Sequence, residues 1–60
     1  MMSELYWVWT KDPINFGIPS DSSEGTQKTG IGTEVQFEYD DSNGLFWIGF
    51  QSVEDFQANI

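Results

Sequence analysis

Sixty residues make one domain at most, and a chain this short buries a modest share of its surface, so it depends on dense packing, a staple or a partner. With neither cysteine nor histidine, disulfides and thiol chemistry are excluded and a structural zinc site is disfavoured, leaving an aromatic-rich core or oligomerisation as routes to stability. Ten acids against two lysines give a net charge of −8, which repels nucleic acid and anionic membranes and suits either a protein partner with a basic surface or plain solubility.

Met1 to Glu4 reads as a frayed start, with no basic stretch and apolar run of a signal peptide. The expected location is therefore cytoplasmic, or the host cytoplasm if the protein is viral. Glu4 to Thr10 (ELYWVWT) is rich in aromatic and β-branched residues and predicts a first strand. Leu5, Trp7 and Trp9 fall on one face and Tyr6 and Val8 on the other, a pattern that calls for cover on both sides. Leu5 to Trp9 is far too short to cross a bilayer. Pro13 cannot donate to a ladder and biases Asp12 away from helix, so the strand ends at Lys11-Asp12-Pro13.

Asn15 to Gly32 reads mostly as loop, being crowded with glycine, serine, asparagine, aspartate and proline. At its start Ile14, Phe16 and Ile18 alternate, as a short strand or as an apolar tether packed on the sheet. Asp21 to Thr29 has almost no apolar content and is expected to be the most mobile part, while Thr26 to Ile31 predicts an irregular edge strand.

Thr33 to Phe50 is the centre of the chain. Val35, Phe37 and Tyr39 alternate with Glu34, Gln36, Glu38 and Asp40, the period of a half-buried strand, and Leu45 to Phe50 returns almost wholly apolar. Asn43-Gly44 is a strong signal for a type I′ hairpin. A two-residue loop sets Tyr39 opposite Ile48 and Phe37 opposite Phe50; a loop of Asp41 to Gly44 sets Tyr39 opposite Phe46 and Val35 opposite Phe50. Both place Val35, Phe37, Tyr39, Phe46, Ile48 and Phe50 on one face and Glu34, Gln36, Glu38 and Asp40 beside Leu45, Trp47 and Gly49 on the other.

In the tail, Ser52 suits a helix N-cap, Glu54 and Asp55 suit the positive end of the dipole, and Val53, Phe56 and Ile60 form one stripe. A helix so short must dock on the sheet. The fold class is thus α+β, mostly β: one domain over residues 1–60, an antiparallel sheet of three to four strands, a long first loop and a short C-terminal helix.

Motifs for chemistry are scarce. Aligning Gly44 with the glycine of a calcium loop puts Tyr39 and Phe50 at positions that need oxygen ligands, so no metal site is read there. Glu38 and Asp40 share a face near Trp47, but with no histidine, cysteine or arginine in the chain a catalytic set is not expected. Gly30-Ile31-Gly32 neither follows a strand nor opens a helix, so it is no phosphate cradle, and no cofactor is expected.

What remains is the mixed face. Glu34, Glu38, Asp40 and Asp41, with Trp47 across from them, are the expected partner-binding residues. Alternate strand residues stand about 6.5–7 Å apart, similar to successive backbone phosphates. The expected function is a small protein-binding module, an inhibitor that occupies a basic, nucleic-acid-handling surface in the manner of tiny acidic phage anti-defence proteins, an analogy of size and charge alone. The alternatives are a homo-oligomer, in the simplest case a homodimer, that uses its aromatic face as self-interface, and a small-molecule binder between subunits.

Overall fold

A computed structural model describes residues 4–60 of the chain. Of the expected frayed start, residues 1–3 lie outside them. The elements run β1 (Tyr6–Thr10), a 3-10 turn (Pro13–Phe16), β2 (Glu24–Lys28), β3 (Glu34–Asp40), β4 (Leu45–Phe50) and α1 (Val53–Gln57). The four strands form one sheet in the order β1-β4-β3-β2, each neighbour antiparallel. Three successive hairpin-linked strands with β1 laid beside β4 by a long connection make a Greek key. The small α+β fold expected from the sequence is the one observed.

The period-2 pattern sets the two faces. Val35 and Phe37 of β3, Phe46, Ile48 and Phe50 of β4, and Ile18 from the long connection are buried together. Val8, Phe16 and Phe56 pack against that cluster. Phe50 sits at its centre, with Phe16 and Phe56 meeting it edge-on at ring-centroid distances of 5.7 and 5.4 Å. Phe56 also leans on Tyr6 at 5.5 Å, which docks α1 across the β1–β4 seam. Ser52 caps the helix as expected, its hydroxyl accepting from the Asp55 amide at 3.1 Å. The predicted stripe is only partly used, because Val53 and Ile60 stay exposed.

The connection from β1 to β2 is where the structure departs most from expectation. It is no slack loop. Ile14, Phe16 and Ile18 act as the tether, with Ile18 fully buried, Phe16 half-buried and Ile14 exposed. The following segment, expected to be the most mobile, contains β2, two residues earlier than the edge strand anticipated from Thr26. β2 is invisible to hydrophobic patterning because its inward positions are Gly25 and Gln27, opposite Phe37 and Val35. Ladder bonds to β3, rather than buried side chains, hold it.

The β3–β4 hairpin takes the longer of the two registers considered, with Tyr39 opposite Phe46 and Phe37 opposite Ile48. The type I′ turn is not formed, since among the described residues only glycines have positive φ and Asn43 is not one of them. The cause is Asp40. Its carbonyl accepts from the amides of Gly44 at 2.8 Å and Asn43 at 3.3 Å, winding Asp41 to Gly44 into one helix-like turn that Gly44 closes at φ +69°.

At the other end of the sheet Gly17, at φ +77°, lies so close to the β2–β3 loop that a Cβ there would be 2.7 Å from the Gly30 nitrogen. That approach lets the Gly30 amide donate to the Phe16 carbonyl at 3.1 Å. Gly44 has open space around it. Gly44→Ala is therefore expected to cost about 1–2 kcal/mol, the left-handed backbone penalty alone. Gly17→Ala bears the same penalty plus a backbone collision, and chemical denaturation should show it to be clearly the more damaging.

Candidate functional site

The face opposite the core is laid out by cross-strand register. One row runs Glu24, Glu38, Trp47, Trp9 from β2 to β1, and the next runs Thr26, Gln36, Gly49, Trp7. Lys28 lies across from Glu34, and Asp40 across from Leu45. Among the described residues no connection crosses this face as the β1–β2 connection crosses the other. Trp7 is 42% and Trp9 58% exposed, and Trp47 is half-buried. Cover on both sides of β1, as its sequence suggests, is not what the fold supplies.

Four of the five expected partner-binding residues converge. Glu38, Asp40, Asp41 and Trp47 line one shallow hollow of about 410 Å³, together with Glu24 and Tyr39. Glu34 does not join them; it lies four residues before Glu38 on β3, facing Lys28 and lining a separate depression with Thr26 and Gln27. Glu24, Trp7 and Trp9 belong to the face but not to the expected set. Glu24 was hidden by the loop reading of its segment, whereas the alternation of Leu5, Trp7 and Trp9 already carried the signal for the tryptophans.

Asp40 differs in kind from its neighbours. Its Oδ1 accepts from the amides of Ser42 at 3.1 Å and Asn43 at 3.3 Å. Its Oδ2 accepts from the Asn43 side-chain amide at 2.8 Å and from the Trp47 indole N–H at 3.4 Å. The Asn43 amide chiefly, aided by Trp47 and the two backbone donors, holds the Asp40 carboxyl below its ordinary range, against a smaller opposing effect of burial. It is thus kept ionised, suited to accepting hydrogen bonds and ill suited to donating a proton near neutral pH. Among the described residues no group of three or more acids is placed to hold a metal ion, and no helix is long and apolar enough to cross a membrane.

Comparison with protein-family models, with curated proteins and with solved structures returns no match. The functional reading rests on the chemistry of this face.

Asp40 also carries a pH signature. Because its folded pKa is lowered, the unfolded chain takes up that proton first as pH falls. The stability it contributes is complete above about pH 5 and is lost as pH drops through the lowered folded value. In Asp40→Asn this part of the acid dependence should disappear, so that melting temperatures of variant and wild type converge on acidification. A constant gap between the two down to the lowest pH would show that the carboxylate charge does not matter to the turn.

Proposed function

We propose that the protein is a binding module that docks the open face of its sheet on a basic surface of a protein partner. The observation that carries this reading is the segregation of the tryptophans: all three lie on the face opposite the core, among the acids, and the core closes without them. Covering Trp7 and Trp9 removes on the order of 100 Å² of ring surface each from water, roughly 2–3 kcal/mol apiece. For a domain whose whole stability is of the order of 3–9 kcal/mol, that is a large reserve to leave in solvent. Aromatics supplying contact energy and acids supplying steering is the usual division of labour at such an interface.

The kind of partner follows from charge. Glu24, Glu38, Asp40 and Asp41 around Trp47 suit lysine- and arginine-rich surfaces, such as the grooves that neutralise nucleic-acid phosphates. An inhibitor that occupies such a groove in place of nucleic acid, in the cytoplasm of a cell or of a viral host, is the biological role we assign. The exposed tryptophans of edge strand β1 are also what a homodimer would use, and oligomeric state separates the two readings.

Because Asp40 is committed to the turn, the informative charge variant is Glu24→Gln/Glu38→Gln/Asp41→Asn. Once a partner is captured from host lysate, this variant should associate at least several-fold more slowly, with a flatter salt dependence and an unchanged fold. Trp9→Ala should act mainly on dissociation. Added oligonucleotide should displace the protein from its partner. Wild-type affinity of the triple variant, with no competition by oligonucleotide, would remove the mimicry reading and favour self-association.

A further inference from the structure

The second row of the open face holds a feature that general acidity does not explain. Gly49 is the penultimate residue of β4, a strand whose other residues are all large. A Cβ there would stand 3.0 and 3.1 Å from Cη2 and Cζ2 of Trp7, and 2.9 Å from Cδ1 of Leu5. The missing side chain is what lets the Trp7 ring lie across β4, with Leu5 as a second neighbour. An interior strand glycine weakens a sheet and marks close approach of another group. Here that group is the indole, held in place although 42% of the residue is exposed.

Beside the indole is a hollow of about 290 Å³ lined by Trp7, Glu24, Thr26, Gln36 and Glu38, floored by Gly25 and Phe37. None of these residues is cationic. Glu24 and Glu38 are direct cross-strand partners, and like charges so placed repel and cost stability. A fixed aromatic wall, two carboxylates set against each other and the neutral polar groups of Thr26 and Gln36 share one socket. A cation entering it relieves the repulsion. A planar cation with several donors does more, since it stacks on the indole while its N–H groups reach both carboxylates.

We propose that this hollow is a socket for one arginine side chain of the partner protein. The inference rests on the docking reading above and names the residue type that reading leaves open. Arginine is favoured over lysine because a guanidinium stacks and donates along fixed directions, whereas an ammonium is a strongly hydrated point charge that gains little from an indole wall at a partly exposed site.

The test uses the full chain, ¹⁵N-labelled, titrated at low salt with acetyl-Gly-Arg-Gly-amide or acetyl-Gly-Lys-Gly-amide at matched ionic strength. The arginine peptide should shift the Trp7 indole N–H and the amides of Thr26 and Gln36 saturably, and bind about 2- to 5-fold more tightly than the lysine peptide. Glu24→Gln should weaken arginine binding by a similar 2- to 5-fold, the worth of one exposed ion pair. The same variant should melt slightly higher than wild type, because it ends the Glu24–Glu38 repulsion. A role confined to holding the sheet together does not produce that opposite pair of effects. Equal binding of the two peptides, shifts confined to Trp47 and Asp41, or no saturable shift at all would overturn the socket. The docking reading is tested separately, by the charge variants against the partner itself. If those weaken partner binding while Glu24→Gln alone has no effect on either peptide, the face is right and the socket wrong.

Discussion

A four-stranded sheet has two faces, and the described segments outside the strands pack over only one of them. The connection between β1 and β2 and the short helix α1 both lie on the side of Phe50, where Ile18, Phe16 and Phe56 close the core. With both committed there, no described segment is left to lie over the other face. A face meant for water alone would alternate to polar residues throughout, as β3 does with Glu34, Gln36, Glu38 and Asp40. β1 and β4 instead place Trp7, Trp9 and Trp47 on it. The functional reading grows from that conflict between limited cover and aromatic surface.

The same economy explains how the core is held. Phe50 is fully buried in the last strand, and the aromatic rings of the long connection and of the helix meet on it. The end of the sheet near Gly17 is drawn together by polar links: the Asn59 side chain donates to the Thr33 hydroxyl at 3.1 Å and to the Asp55 carbonyl at 2.8 Å, and the Thr33 amide donates to the buried Thr29 hydroxyl at 3.1 Å. These tie the end of the helix to the β2–β3 loop, and the Gly30 amide bond to Phe16 adds the 3-10 turn, without a disulfide or metal, devices that a protein this small commonly needs.

Much of this was legible in the sequence where side chains alternate against a core. The faces of β1, β3 and β4, the break at Pro13 and the Ser52 cap all follow from period, proline chemistry and capping, and the structure agrees with each. β2 was only partly legible: an edge strand was anticipated from Thr26, but its start at Glu24 was not, because Gly25 and Gln27 are its inward residues and an edge strand held by backbone bonds leaves no hydrophobic period. The turn was half legible. Asn43-Gly44 announces a tight reversal, but the choice between two and four loop residues goes with Asp40, whose carbonyl and carboxylate meet their donors only after the chain has turned. For the candidate site, Glu38, Asp40, Asp41 and Trp47 could be brought together from register alone. Glu24 could not, since its place beside Glu38 requires the strand that patterning misses, and Glu34 was included because spacing along a strand does not show that Lys28 lies opposite.

The central claim is that the tryptophan face stays open in the free protein. Collisional quenching of tryptophan emission on variants that each keep one tryptophan, with molecular mass measured at the same micromolar concentration, tests it most directly. The account predicts a monomer in which Trp9 is readily quenched and emits as a solvated indole, with Trp7 intermediate and Trp47 the most protected. A Trp9 shielded from quencher in the free chain, with the mass of a dimer or of a monomer, would contradict it, because the face would then already be covered.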